Sequence, residues 1–176
     1  MSRADLIGIM RPRVEEILDG VREVEPETRF QVAFIGSWFD PPAAKETAFA
    51  HIDAGADIMY AERFGVAEAA QERGILAIGN VIDTQPDYPD TVAASAIWHF
   101  EPTLDAAIER VREGTFEAED YGIYSFMKHG GCSMAPLGTF EDRVSDEIKA
   151  LVAQREAEIK AGDFEVNIND DEPRSG

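Results

Sequence analysis

Behind Pro12, apolar residues recur at helical spacing: Val14, Ile17, Leu18 and Val21 predict an amphipathic helix over residues 12–25. The run Phe30-Gln31-Val32-Ala33-Phe34-Ile35 is short, mostly apolar and closed by Gly36, which predicts a buried strand. Asp40 is a good N-cap and Pro41 a good first helical residue. A helix starting there would bury Ala44, Ala48, Phe49 and Ile52 and stop near Gly55. The alternation then repeats. Residues 56–60 read as a strand, 66–73 as a helix closed by Gly74, 75–79 as a third strand and 91–97 as a fourth. Leu104, Ala107, Ile108 and Val111 stripe a helix ending at Gly114. Strands separated by helices mean βαβ units and a parallel sheet, so the fold class is α/β, Rossmann-like.

Past Gly114 the pattern changes. Residues 121–126 and 133–137 read as short strands around the Gly130-Gly131 turn. Phe140, Val144, Ile148, Leu151, Val152 and Ile159 stripe a long helix, and Phe164, Val166 and Ile168 alternate as in a final half-exposed strand. The expected organisation is a short lead over residues 1–11, a single α/β lobe over 12–168 and a frayed acidic tail over 169–176.

Composition narrows the function. The chain has 176 residues, 35 acidic against 16 basic, for a formal charge of −19. So negative a field repels phosphate backbones and anionic lipid, which sets nucleic-acid and membrane-surface roles aside. Acidic residues are spread over the helix faces, and lysine occurs only at Lys45, Lys128, Lys149 and Lys160. Such a surface suits hydration in concentrated salt; the alternative is an ordinary acidic soluble surface. No apolar run approaches the roughly 20 residues of a membrane span. Met1 to Asp5 lead into no signal-peptide pattern.

The single Cys132 makes neither an internal disulfide nor a cysteine-cluster zinc site. His51, His99 and His129 are scattered without metal-ligand spacing, so neither a metal nor another cofactor is expected. No phosphate-binding glycine loop or nucleophile elbow is present. His129 stands three residues before Cys132, but a Cys–His nucleophile needs spatial adjacency and an orienting group. A tight turn feeding a buried cysteine is the simpler account, and the chain is not expected to be an enzyme.

In an open parallel sheet, ligands bind beyond the C-terminal ends of the strands. Four segments fall there: residues 37–40, 61–65, 80–85 and 98–101. They hold both tryptophans, Trp38 and Trp98, together with Phe39, Phe64 and Phe100. Flat rings on a polar-edged crevice suit a planar ligand, each stack adding about 0.5–1.5 kcal/mol beyond burial. Asp40, Arg63, Asn80 and Asp83 are placed to read its hydrogen-bonding edge, although Asp40 also has a capping duty. The competing account is that these rings cap the sheet edge or fill an interface with protein.

At residues 36–41 (Gly-Ser-Trp-Phe-Asp-Pro) the sequence begins to look familiar, and residues 52–58, 69–74, 77–79, 95–98 and 131–137 follow in order. Together they resemble the basic membrane protein family, the substrate-binding proteins of ABC importers that include the purine nucleoside receptors. The resemblance implies a type I periplasmic-binding-protein fold, two α/β lobes closing on a ligand. It implies an aromatic residue at Trp38 or Phe39 that stacks on a base and an acidic residue within 80–83 that binds polar groups. The family position after the fourth strand, often Lys and sometimes Trp, falls on Trp98.

Three departures stand out. Family chains are about twice as long, so the expectation is one lobe with half a cleft, its first lobe absent or supplied by another chain or by homodimerisation. Val81 stands where many members carry Asp or Asn, and residues 61–65 replace a small-residue loop with one that narrows the site and adds Arg63. Nucleoside, free base and other planar heterocycles all stay open as ligands. The resemblance implies an ABC permease as partner and an extracytoplasmic location. The alternative function is a stand-alone regulatory or protein-interaction module.

Overall fold

A computed structural model of the chain describes residues 17–61 and 64–164. Within them one sheet of four strands has the order β1-β2-β3-β4, formed by β1 (Ile58–Tyr60), β2 (Leu76–Val81), β3 (Val92–Trp98) and β4 (Cys132–Met134). β1, β2 and β3 run parallel; β4 returns antiparallel along β3. The helices are α1 (residues 17–24), α2 (Pro41–Asp53), α3 (Val66–Arg73), α4 (Glu101–Glu113) and α5 (Asp146–Ala161). The α/β class expected from the sequence is the one observed.

Local chemistry sets the element ends. The Asp40 carboxylate accepts from the backbone N–H of Ala43 at 3.1 Å and caps α2, with proline in its first turn. Gly74 and Gly114, both at φ 70°, close α3 and α4 in the left-handed conformation that side chains disfavour. The core is built from small residues. Ala44 and Ala48 of α2 meet Ala69 and Ala70 of α3 over Met59, Ala77 and Val92 of the sheet. Alanines let the two helices approach closely, and ion pairs flank the contact: Lys45 to Glu72 at 2.7 Å and Arg73 to Asp53 at 2.8 Å. The Arg73 guanidinium also lies 4.9 Å from the centre of the Phe49 ring, a contact worth about 0.5–1 kcal/mol at an exposed site.

β2 and β3 are joined without a helix. Residues 82–91 cross over instead in a hydrogen-bonded turn, with Tyr88 N–H donating to Gln85 O at 3.0 Å. Gln85 is buried at 6% exposure. Its amide N–H groups donate to Leu137 O at 2.5 Å and Val92 O at 3.3 Å, and its oxygen accepts from Thr139 N–H at 3.3 Å. One side chain thus ties the crossover to the start of β3 and to the 3₁₀ turn at Gly138–Phe140. A Cβ at Gly138 would run into that amide.

Five expectations are corrected. Residues 30–35 are not part of the four-stranded sheet; Gln31 instead reaches the end of α2, donating to Ala54 O at 3.3 Å and meeting His51 Nδ1 at 2.9 Å. Residues 121–125 form a 3₁₀ turn rather than a strand, because the Asp120 carboxylate accepts from Gly122 N–H at 2.7 Å and winds the backbone. The strand expected at 133–137 is Cys132–Met134, and the helix expected from Phe140 begins at Asp146 behind the Ser145 cap. Of the last expected strand, Phe164 is not in a strand; its ring lies 3.9 Å from the Arg155 guanidinium. Val166, Ile168, the lead over 1–11 and the tail over 169–176 lie outside the described residues.

Gln85→Ala should lower unfolding free energy by about 1–3 kcal/mol, since a buried carbonyl, a half-buried one and one N–H lose their partner. Urea denaturation reads this, and an unchanged midpoint would refute the clamp. A second prediction concerns the tie between α1 and α5. Arg155 holds Glu23 through two hydrogen bonds at 2.7 and 3.3 Å, which lowers the Glu23 pKa, hydrogen bonding first and charge second. A depressed carboxylate stabilises above the ordinary glutamate range, about pH 4.3, and its contribution is lost as pH falls through its folded pKa. The melting-temperature difference between the chain and Glu23→Gln should therefore be small at pH 7, vanish in acid, and shrink in molar salt.

Candidate ligand crevice at the strand ends

Because β1, β2 and β3 are parallel, Tyr60, Val81 and Trp98 end them on the same side. An open cavity of 2050 Å³ reaches this edge and continues along β1 and residues 28–36. A small-molecule site needs roughly 300–1,000 Å³, so only part of this space has ligand dimensions. The portion at the strand ends is lined by Ser37, Trp38, Asn80, Val81, Trp98 and His99, and it alternates rings with polar groups. Gly122, Ile123, Ser125 and Phe126 close it from the side of the 3₁₀ turn, with Gly131 and Cys132 below.

His99 is held in place from two directions. Its backbone N–H donates to Gly131 O at 2.9 Å, and its Nε2 lies 2.7 Å from Ser133 Oγ on β4. That pairing follows from the register of Trp98 with Cys132 and of Ile97 with Ser133. Gly131 is buried and a Cβ there would strike the backbone of Tyr124 and Ser125, so the turn packs directly beneath the crevice.

Trp38, Asn80 and Trp98 all belong to the wall of this large cavity. Asn80 and Trp98 are the ends of strands rather than loop residues. Phe39 and Phe64 are not on that wall; they meet edge to face at 6.5 Å as an exposed pair. Asp40 is occupied with the α2 cap, and Asp83 accepts from Gln85 N–H at 3.1 Å, which leads the chain into the crossover. Arg63 lies outside the described residues. The wall formed by residues 122–126 was missed because alternating apolar residues suggested a strand there. Asp120 two positions before Gly122 was the available sign of a turn.

No hydrogen bond joins Cys132 to His129 among the described residues. The His129 ring packs edge to face on Tyr124 at 5.5 Å, and the half-buried Cys132 thiol has its pKa pushed up, chiefly by burial. The folded chain should therefore alkylate with iodoacetamide at pH 8 several-fold more slowly than the same chain in urea. Equal rates would contradict a buried, protonated thiol. Among the described residues no group of three or more His, Cys, Asp and Glu is placed to hold a metal, and no helix is long and apolar enough to cross a membrane.

Residues 7–169 match the family model of the PnrA-like ABC transporter substrate-binding proteins. The chain belongs to this family. It is 30% identical over 153 residues to a purine-binding protein of Brucella abortus, covering 86% of this chain and 42% of that one. It is 31% identical over 149 residues to a Haloferax volcanii protein named as a candidate ABC transporter glucose-binding protein, covering 84% of this chain and 37% of the relative. The chain thus spans less than half the length of these two relatives. Among solved structures, a transcriptional activator of the comK gene from Bacillus halodurans superposes with a TM-score of 0.67 at 25% identity, over 87% of this chain and 54% of that one. An ABC transporter solute-binding protein from Conexibacter woesei superposes with a TM-score of 0.63 at 21% identity, over 86% and 51%. The latter likeness supports the fold, that of the periplasmic solute-binding proteins.

Proposed function

We propose that this chain is a ligand-binding lobe of an ABC importer's substrate-binding protein and takes up a purine base, a nucleoside or a similar planar heterocycle without chemistry. The observation that carries the reading is that Trp38, Asn80 and Trp98, at or beside the C-terminal strand ends, line the same cavity. Two indole rings supply flat apolar area, and the Asn80 amide is of the chemical type that reads a heterocycle edge. The purine-binding relative from Brucella abortus supports the same ligand class. An acidic chain of charge −19 also disfavours phosphorylated forms, so an uncharged base or nucleoside fits better than a nucleotide.

A family lobe of this kind closes on its ligand against a second lobe and delivers it to a permease outside the cytoplasmic membrane. Both partners, and the alternative of a second copy of this chain facing the crevice, belong to the proposal. A second reading, a regulatory ligand sensor, draws on the likeness to the Bacillus halodurans activator. It shares the crevice and differs in what ligand binding would drive.

The test is a tryptophan-fluorescence titration at molar salt with adenine, adenosine, guanosine, inosine and glucose. Trp38 and Trp98 are the chain's two tryptophans, so both reporters sit on the crevice wall. Saturable quenching by purines and none by glucose is the expected result. Trp38→Ala should weaken binding about tenfold, roughly 1.4 kcal/mol, with Trp98 left as reporter. A folded chain that responds to no purine would sink the reading.

A further inference from the structure

α4 is an amphipathic helix with no buried residue. Its apolar positions Leu104, Ala107, Ile108 and Val111 recur at helical spacing and form one stripe. Leu104 is 46% exposed, Ile108 45% and Val111 61%. The helix meets the rest of the chain along another side, where it packs on the 3₁₀ turn at Tyr121–Ser125 and Arg110 pairs with Glu119 at 3.1 Å. A helix striped in this way belongs against another apolar surface. No element among the described residues covers it.

The relief of the stripe and the charges beside it say what fits. A shallow depression of 230 Å³ lies on it, lined by Leu104, Ala107, Ile108, Val111 and Arg112. At about 3.6 residues per turn, Glu101, Asp105 and Arg112 stand along one flank, the acids near the start of the helix and the cation near its end. Within the chain Arg112 meets Glu109 at 3.8 Å, and its side chain stays 73% exposed.

We propose that the stripe is the docking surface for a second copy of this chain, α4 against α4, antiparallel about a two-fold axis beside Ala107 and Ile108. The pattern is self-complementary in that orientation. Leu104 faces the second copy's Val111, and Ala107 faces its Ile108, so a small residue receives a large one. Arg112 comes opposite the second copy's Glu101 and Asp105, and the same contacts recur across the axis. Opposed helix dipoles add to the match. A parallel pair would instead set Asp105 against Asp105 and Arg112 against Arg112.

A helix of 13 residues is about 20 Å long, too short to bury the roughly 1,200–2,000 Å² of a tight complex, so the dimer belongs to the micromolar class. Each copy carries −19, which opposes approach at low salt. Molar salt cuts the Debye length to about 3 Å and leaves the apolar contact in place, so the dimer tightens as salt rises.

Sedimentation equilibrium of the full chain over about 10–500 μM tests this, in tenth-molar and in molar potassium chloride. Expected is a monomer–dimer equilibrium at least about threefold tighter in molar salt. Ile108→Glu, at an exposed site, should melt within about 3 °C of the native chain and weaken the dimer at least about tenfold. Arg112→Glu should weaken it about threefold, and the triple variant Glu101→Arg, Asp105→Arg, Arg112→Glu, which swaps the charges on both sides, should restore it. A monomer at every concentration would overturn the proposal and leave the stripe to a different protein. A dimer that survives Ile108→Glu would overturn it too, by placing the contact elsewhere. If Ile108→Glu does not fold, the charge variants decide: a dimer indifferent to both of them would overturn the antiparallel pairing.

Discussion

The buried amide of Gln85 is the contact on which the site's geometry depends. A parallel pair joined without a helix has no bulky crossover to fix the spacing of its strands, and β2 to β3 is such a pair. Gln85 substitutes for that bulk through three hydrogen bonds to two chain segments: the entry to β3, and the stretch holding Leu137 and Thr139. A buried polar group with every hydrogen bond made is a strong positional device, because each displaced partner would be left unsatisfied. The consequence is felt at the crevice. Val81, Asp83 and the start of β3 lie within a few residues of the clamp, and the register it protects delivers Trp98 opposite Cys132 and next to His99.

Around that clamp the molecule divides its labour by side-chain size and charge. Alanines at the α2–α3 contact allow close packing on one sheet face, and charged residues on the outer faces of those helices pair across it. These exposed pairs contribute modestly and fade with salt. What remains at high ionic strength is the small-residue core and the Gln85 network. Aromatic area is concentrated elsewhere, on Trp38 and Trp98 at the strand ends and on the Phe116, Tyr121, Tyr124 and His129 stack beside the 3₁₀ turns. The second cluster stiffens the turn that walls the crevice, so fold and site share it.

Much of this was legible in one dimension. The Asp40-Pro41 start of α2, the glycines ending α3 and α4, and the strands at β1, β2 and β3 follow from capping chemistry and apolar spacing, both local. That Trp38, Asn80 and Trp98 come to the C-terminal strand ends of a parallel sheet was legible too, since it follows from the order of strands and connections. Side-chain direction was not. Phe39 follows Trp38 and Asp83 lies three residues after Asn80, yet Phe39 turns to Phe64 and Asp83 to the backbone N–H of Gln85.

The sequence by itself determined the α/β class, the capped start of α2, the glycine ends of α3 and α4, the acidic surface and the set of strand-end segments, since each depends on residues a few positions apart. The tertiary structure alone decided two things: that β4 returns antiparallel, and that Val81 adopts a backbone its own side chain disfavours. Those outcomes rest on contacts between distant segments. An apolar run states only that it wants burial, and the neighbour that grants it sets the conformation.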